Sequence, residues 1–282
     1  MNHRSIHAYT WVPRWNADDG ARAIARAAEF GFGHLVIPLK DLSAINATDI
    51  ARQCEVAGIR PLTTSPLGPH DDISSSDPDI ALKGLLRHRV ALTTAAELGA
   101  RHMGGILYSA FGKAAKAATP ENFDIAAENL ARLAETAAEL DVTLLLEVVN
   151  RYETNLLTTA ARAVDMVRRI GAPNVRVHLD TFHMNIEEDD MMAALETALP
   201  YLGYFEIDQN HRGQLSKGTI DFVPYLQRLK DAKYEGLIGV EAFSASIAHP
   251  EVAAGVAAWR SMFDSGDVVA AEARELLDRT GF

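Results

Sequence analysis

The sequence contains a single cysteine, Cys54, among its 282 residues. One cysteine excludes an internal disulfide and fits a chain that works in a reducing compartment. Cys54 lies in the helical pattern DIARQCEVAGI, where a thiol is usually a small buried apolar side chain. The sequence therefore favours neither a disulfide-stapled scaffold nor a thiol enzyme.

Long hydrophobic runs are also missing. No stretch of about 18 uncharged apolar residues is present, which predicts that the chain does not span a membrane. The N-terminal segment MNHRSIHAYTWVPRW lacks the apolar region and the small-residue cleavage site of a secretory signal. Together with the cysteine content, these absences predict a cytoplasmic protein without a membrane partner.

Basic residues are outnumbered, with 27 lysines and arginines against 38 acidic residues and a net charge of −11. A nucleic-acid binder generally presents a basic face to the phosphate backbone, so we expect no nucleic-acid partner. Excess negative charge also keeps a protein soluble. The charge thus argues against one class of function without indicating another.

A repeated alternation of two patterns runs through the chain. Short apolar runs predict eight strands, at residues 5–11, 34–39, 60–66, 102–108, 143–149, 175–181, 203–208 and 236–243. Amphipathic stretches between them predict helices, and two of these, ADDGARAIARAAEFGFG and TTAARAVDMVRRIG, end on the glycine that often terminates a helix. Alternating strands and helices imply parallel strands joined by right-handed crossovers.

Eight such units favour closure into a barrel over an open sheet. An open nucleotide-binding sheet would carry a G-x-G-x-x-G turn after its first strand, whereas this chain reads TWVPRWNADDG there. We therefore predict an α/β fold, a single (β/α)8 barrel domain over residues 1–282. Its functional side chains should lie at the C-terminal ends of the strands.

Four acidic residues occupy those ends on four consecutive predicted strands. They are Glu147 in LLLEVVN, Asp180 in VRVHLDTFHMN, Glu206 in GYFEIDQNHR and Glu241 in LIGVEAF. Each alone could cap a helix or pair with an arginine. Four together would carry a large desolvation cost without a compensating positive charge. A divalent cation is the simplest compensation, and oxygen ligands favour Mn²⁺ or Mg²⁺.

Four further residues near the predicted mouth have both an ordinary and a functional interpretation. His183 is either a loop histidine or a neutral imidazole that binds a substrate oxygen. Arg212 is either an exposed cation or a ligand of substrate oxygens. Trp11 and Trp15 either belong to the core or form an aromatic wall of a sugar pocket, and we include them among the candidate substrate-binding residues.

Two long segments, LLLEVVNRYETN and VRVHLDTFHMNIEE, resemble the ketose 3-epimerases, which act on D-tagatose, D-allulose (psicose) or L-ribulose. This family belongs to the xylose isomerase-like TIM barrel superfamily. The motifs SSSDP, GGILYSAFG, VEAF and AAGVAAWRSMF extend the likeness along the chain. The resemblance implies an isomerase of carbohydrate metabolism with a sugar substrate and a divalent metal, Mn²⁺ with Mg²⁺ or Co²⁺ as alternatives. It also implies a homodimer or homotetramer.

The resemblance assigns roles to individual residues. Glu147 and Glu241 match the two metal-binding glutamates that also serve as acid and base, and Asp180 matches a metal ligand. The residues that match those holding the ketose near C1–C3 are Glu153, His183 and Arg212. Epimerisation at C3 removes a proton next to a carbonyl and returns one to the opposite face, which two flanking carboxylates can perform.

The segment Y-F-E-I-D-Q-N-H-R departs from the family pattern H-F-H-I-G-E-N-N-R. Glu206 stands where the family has its fourth metal ligand, a histidine. A glutamate can bind Mn²⁺ or Mg²⁺, but it adds a negative charge that makes the metal less Lewis acidic. The downstream segment SKGTIDF departs as well, and Lys217 there, with Arg212 and His211, would suit a phosphorylated sugar or else be solvated.

Four functions are compatible with the sequence. The first is C3 epimerisation of a free ketose, and the second is isomerisation or epimerisation of a shorter or phosphorylated sugar at the same site. The third, a DNA-repair endonuclease of the same superfamily, is disfavoured by the net charge and the few histidines at strand ends. The fourth, a catalytically inactive binding barrel, is disfavoured by the presence of both Glu147 and Glu241.

Overall fold

Eight parallel strands form a closed barrel in sequence order in the computed structural model, which describes residues 2–282. The strands are β1 Arg4–His7, β2 His34–Pro38, β3 Arg60–Thr64, β4 His102–Gly104, β5 Thr143–Val148, β6 Val175–Asp180, β7 Leu202–Glu206 and β8 Leu237–Val240. Each strand pairs with the next, and β8 closes the barrel on β1. This arrangement confirms the predicted (β/α)8 barrel.

Helices follow the strands and surround the barrel. They are α1 Ala17–Glu29, α2 Ala47–Ala57, α3 Pro78–Glu97, α4 Pro120–Glu139, α5 Ala160–Ile170, α6 Thr181–Glu187, α7 Met191–Ala198, α8 Val223–Asp231, α9 Pro250–Gly255 and α10 Gly266–Thr280. Most begin at a polar side chain that accepts a hydrogen bond from the first turn, as Thr119 does from the N–H of Asn122. Within residues 2–282, none of them combines the length and the apolar character needed to cross a bilayer.

All eight strands end earlier than predicted, and the first and the fourth show the reason. The first ends at His7, because residues 8–10 turn into a 3₁₀ helix. The fourth ends at Gly104, since Gly105 adopts a left-handed backbone with φ of 93° that takes the chain out of the extended conformation. In both cases an apolar run continues past the strand and packs in the core, so hydrophobicity alone overestimates strand length.

Alternate residues of each strand face opposite sides of the sheet, and β5 shows the consequence for the site. Leu144, Leu146 and Val148 belong to the large apolar cluster between sheet and helices. Leu145 belongs to a small cluster with residues of other strands, namely Val36, Leu62, Tyr204 and Leu237. The second cluster fills the barrel interior, so Glu147, two residues after Leu145, projects into the barrel one level closer to the mouth.

A buried histidine joins α3 to the barrel. His88 Nε2 lies 3.0 Å from the carbonyl oxygen of Leu107, and Nδ1 lies 3.2 Å from Oγ of Ser65. Because a carbonyl only accepts, Nε2 carries the proton and Nδ1 accepts from the hydroxyl. Burial lowers the pKa of His88 to about 4.

The titration of His88 predicts a loss of stability at mildly acidic pH. The folded pKa lies below the ordinary value of 6.5, so the unfolded chain binds more protons and stability decreases as pH falls through the range from 6.5 to 4. The unfolding free energy of the wild type should fall between pH 7 and pH 5. In His88→Gln we expect this fall to be smaller by about 2 kcal/mol. Urea unfolding at the two pH values measures this, with the exposed His70→Gln as control. An unchanged pH dependence in His88→Gln would contradict the assignment.

Candidate active site at the barrel mouth

A cleft of about 800 Å³ opens at the C-terminal ends of the strands. Its floor includes Glu147 from β5 and Glu241, which directly follows β8. Glu153 and Arg212 from the loops after β5 and β7 line it as well, together with His7 at the end of β1. The cleft therefore lies where the barrel fold predicts functional side chains.

Five carboxylates lie in a cluster beneath this cleft. Asp180 is the last residue of β6 and pairs in register with Glu206, the last residue of β7. Potential ligand atoms lie within 4.8 Å of one another in three overlapping groups, which are Glu147 with Asp180 and His183, Glu147 with His178 and Glu206, and Asp180 with Asp208 and Glu241. The structure thus brings the four predicted acids together and adds Asp208, which sequence reasoning did not assign to the site.

Asp180 and Asp208 hold their carboxylates in the same way. Oδ1 of Asp180 accepts a hydrogen bond of 2.7 Å from the N–H of Phe182, and Oδ1 of Asp208 accepts one of 2.7 Å from the N–H of Glu241. Both Oδ2 atoms are buried, and within residues 2–282 no group forms a hydrogen bond with either of them. Buried unpaired oxygens of this kind are costly, and hard divalent cations are their natural partners. The donor set therefore fits an oxygen-ligated metal.

Glu206 is held differently. Its Oε1 accepts a hydrogen bond of 2.6 Å from the hydroxyl of Tyr204, and its Oε2 lies 3.0 Å from Nε2 of His178. The imidazole stacks on the Tyr204 ring at 4.2 Å, and Ser5 Oγ lies 2.9 Å from the same hydroxyl. Burial, with the nearby charge of Glu241, raises the pKa of Glu206 to about 8.

Burial, followed by the charges of neighbouring carboxylates, raises the pKa values of Glu147, Asp180 and Asp208. Burial is the first cause for Glu147, and the charges of Glu241, Glu206 and Asp180 add to it, so its pKa lies well above the usual value. Burial also raises the pKa of Asp180 and of Asp208, each with neighbouring carboxylates as a further cause. In the absence of a cation, the site therefore favours protonated carboxyl groups.

Arg212 supplies positive charge within this acidic cluster. Its backbone is left-handed, with φ of 54°, and its buried guanidinium lies over the rings of Phe182 and Phe243. Nη1 donates to Glu153 Oε1 at 3.0 Å, and Nη2 donates to Glu241 Oε2 at 2.6 Å. Burial acts to lower the pKa of Arg212, but the surrounding carboxylates outweigh it and raise the pKa above its ordinary value. The guanidinium therefore fixes the orientation of both glutamates.

His183 is buried beside the acidic cluster as a neutral imidazole. Its Nδ1 accepts a hydrogen bond of 3.0 Å from the backbone N–H of Asn150, which can only donate, so Nε2 carries the proton. That Nε2 lies 3.6 Å from Glu147 Oε1 and 3.5 Å from Asp180 Oδ2. Burial and the charge of Arg212 lower the pKa of His183 far below its usual value. The imidazole can thus donate to an oxygen bound beside the acidic cluster.

Two contributors to the site were missed in the sequence. Asn150 orients His183 and also donates from Nδ2 to Glu153 at 3.3 Å, although the motif LEVVN gave no sign of this role. His7 directs Nε2 toward Glu241 Oε1 at 3.5 Å, while its Nδ1 accepts from the N–H of Tyr9. The signal for both is positional, since each lies at or just beyond the end of a barrel strand.

Trp11 and Trp15 lie in the hydrophobic core. Trp11 donates from Nε1 to Asp267 at 2.9 Å, because the 3₁₀ turn after β1 directs it toward α10. Within the described part of the chain, neither tryptophan lines the main cleft, whose aromatic lining comes from Tyr9, Phe111 and Phe243. The predicted aromatic wall is present but is built from other residues.

Within residues 2–282, the structure does not bring Lys217, His211 and Arg212 together in the cleft as predicted. Arg212 is engaged by two glutamates, and Lys217 is exposed, with its carbonyl oxygen bonded to His211. Other basic residues line the cleft, namely Lys40, Lys83 and Arg87.

Comparisons with known proteins agree with this architecture. Residues 23–262 match the family model described as Xylose isomerase-like TIM barrel. The chain is 34% identical to an L-ribulose 3-epimerase of Methylomonas sp. (strain DH-1), over 96% of this chain and 95% of that protein. It is 31% identical to a ketose 3-epimerase of Arthrobacter globiformis, over 96% and 94% of the two chains. The crystal structure of a D-allulose 3-epimerase from Methylomonas sp. matches with a TM-score of 0.95 at 34% identity, covering 99% of this chain and 97% of the other.

The ion pairs of Arg212 predict a pH-dependent effect of its removal. In chelator-treated protein, Arg212→Met should lower the unfolding free energy by about 3 kcal/mol at pH 8, since it leaves Glu153 and Glu241 buried without their cation. The loss should shrink at pH 5, because burial raises the pKa of Glu153 and a protonated carboxyl needs no partner. Urea unfolding at both pH values tests this, and Arg212→Lys should recover part of the stability. A loss equal at the two pH values would point to packing on Phe182 and Phe243 instead.

Proposed function

The chain belongs to the ketose 3-epimerases of the xylose isomerase-like TIM barrel family, and we propose that it is a metal-dependent enzyme that inverts C3 of a free ketose. The resemblance seen in the sequence is thereby confirmed at the level of the family. The observation that carries the proposal is the placement of Glu147 and Glu241 in one cleft, beside buried aspartate oxygens suited to a metal. It is an enzyme of the isomerase class by family, and the site supports this chemistry.

The metal site in this proposal consists of carboxylates from consecutive strands. Glu147, Asp180 and Glu241 would hold the ion together with a carboxylate of β7, for which the sequence predicts Glu206. Oxygen ligands favour Mn²⁺, with Mg²⁺ or Co²⁺ as alternatives. When bound, the ion would neutralise negative charge on the substrate oxygens and on the cluster itself.

The proton transfers fall to the two glutamates. One carboxylate removes the proton from C3, and the electron pair of that C–H bond moves toward the C2 carbonyl oxygen, which gives an enediolate. The other glutamate, in its protonated form, returns a proton to the opposite face of C3. The two residues exchange roles when the reaction runs backward.

Three neighbouring residues would position the sugar. His183 offers the Nε2 proton to a substrate oxygen next to Glu147. Arg212 orients Glu241 while Phe182 and Phe243 hold its guanidinium in place. Glu153, bonded to both Arg212 and Asn150, faces the same cleft and can accept from a substrate hydroxyl. Fixed geometry of this kind lowers the entropic part of the barrier.

A second candidate function is the same chemistry on a phosphorylated or otherwise acidic sugar. Its specific support is the set of cationic side chains that line the outer cleft, namely Lys40, Lys83 and Arg87. Arg87 is partly committed, since it donates to the carbonyl oxygen of Lys40 and lies 3.5 Å from Asp71. The lysines are exposed and would meet the end of the substrate remote from C3.

Replacing either glutamate should stop the reaction without unfolding the protein. We expect Glu147→Gln and Glu241→Gln each to reduce exchange at C3 by a factor of about 10² to 10⁴, because an amide can neither take nor return the proton. Proton–deuterium exchange followed by NMR in D₂O measures this, and circular dichroism checks the fold. The control is Glu251→Gln, an exposed glutamate of the same cleft on α9, which should retain activity. Full activity in either site variant would refute the two-carboxylate mechanism.

The position of exchange and the choice of sugar separate the two candidate functions. With a panel of free and phosphorylated ketoses, we expect exchange at C3 of a free ketose, its loss in chelator and its recovery with Mn²⁺. Exchange restricted to phosphorylated sugars would favour the second candidate. In that case the double variant Lys40→Met/Lys83→Met should raise KM, whereas Lys113→Met, an exposed lysine outside the cleft lining, should not.

A further inference from the structure

Two carboxylates reach the site from β7 and the residues directly after it, and they lie at different levels of the barrel. Glu206 and Asp208 are two residues apart, so both face the barrel interior. Glu206 pairs in register with Gly239 of β8, which places Asp208 one level nearer the mouth, beside Glu241. The hydrogen bond from the N–H of Glu241 to Asp208 Oδ1 shows this proximity directly.

Both oxygens of Glu206 already have donors. The hydroxyl of Tyr204 donates a hydrogen bond to Oε1, and His178 Nε2 donates one to Oε2. Because an ionised carboxylate oxygen only accepts hydrogen bonds, His178 Nε2 carries the proton of this contact. Among the groups of potential ligand atoms described above, Glu206 belongs to the one that contains Glu147 and His178. A metal bound to Glu206 would compete with these two hydrogen bonds for the carboxylate oxygens.

Asp208, in contrast, has a buried oxygen that can bind a cation. Its main chain is fixed to the start of α6, because the Thr181 hydroxyl donates to its carbonyl at 2.7 Å and accepts from its N–H at 2.8 Å. Its Oδ1 is anchored by Glu241, and its fully buried Oδ2 is left without a hydrogen-bond partner among the groups of residues 2–282. The same group of ligand atoms within 4.8 Å contains Asp180 and Glu241. Asp180 repeats this arrangement, with Oδ1 anchored and Oδ2 unpaired.

We propose that Asp208, rather than Glu206, is the β7 ligand of the divalent cation, completing a set with Asp180, Glu241 and Glu147. The assignment rests on the metal dependence proposed above and changes its ligand set. In the family pattern H-F-H-I-G-E-N-N-R a glycine stands at the position of Asp208, so this ligand belongs to the present chain's own departure from the pattern. Glu206 would then act as a positioning residue, held by hydrogen bonds from Tyr204 and His178.

Metal binding by two single variants tests the assignment without relying on turnover. Full-length protein is stripped with chelator and titrated with Mn²⁺ by calorimetry, with bound Mn²⁺ counted by electron paramagnetic resonance. We expect the wild type to bind one ion per chain. Asp208→Asn should weaken binding by about tenfold or more, since affinity at oxygen sites follows the number of charged ligands. Glu206→Gln should bind within about threefold of the wild type, and Asp180→Asn serves as the positive control.

Stability measurements separate loss of a ligand from loss of the fold. Asparagine keeps an oxygen for the N–H of Glu241, so metal-free Asp208→Asn should be at least as stable as the metal-free wild type. Mn²⁺ should then raise its Tm less than it raises that of the wild type. If Asp208→Asn proves misfolded, Asp208→Gly is titrated in its place and the same tenfold loss is expected.

Four results would overturn the assignment. Asp208→Asn with wild-type affinity, or Glu206→Gln with a loss as large as that of Asp208→Asn, would return the ligand role to Glu206. Two ions per wild-type chain would mean that the carboxylates form two sites. Wild-type protein that binds no Mn²⁺ would overturn the proposed metal dependence as well, which distinguishes failure of the function from failure of this ligand.

Discussion

The burial of six carboxylates around the guanidinium of Arg212 is the constraint on which the rest of the site depends. These groups belong to Glu147, Glu153, Asp180, Glu206, Asp208 and Glu241. Burial, with the charges of neighbouring carboxylates, raises the pKa of Glu147 and of Asp208. Arg212 offsets part of this cost through two short hydrogen bonds and two aromatic faces. The remainder calls for bound protons or a bound cation, which is why one cluster is suited to both proton transfer and metal binding.

The barrel creates this cluster through its register. On β5 the inward-facing residues pass from apolar to acidic toward the mouth, in the step from Leu145 to Glu147. Strand β7 repeats the step with Tyr204, Glu206 and Asp208. Because parallel strands end at the same rim, acids far apart in the chain meet there, while the apolar layer below keeps water from the opposite side.

The hydrogen bonds around the cluster decide what each acid can do. Backbone N–H groups anchor Asp180 and Asp208 and leave one oxygen of each available. Side chains occupy both oxygens of Glu206. Glu147 faces the cleft beside the neutral imidazole of His183. The donors around each carboxylate are the basis on which we propose different roles for chemically similar groups: ligands, a positioning residue and acid–base groups.

The sequence by itself determined the fold class and the acids at the strand ends, since strand periodicity and the polar residue closing each apolar run are local patterns. Glu147, Asp180, Glu206 and Glu241 were recognisable for that reason. Only the tertiary structure decided how these acids are held, because the donors come from distant segments, as Asn150 does for His183 and the Glu241 N–H for Asp208. It also placed Trp11 and Trp15 in the core, where a 3₁₀ turn after His7 redirects a chain that apolar periodicity alone would continue as a strand.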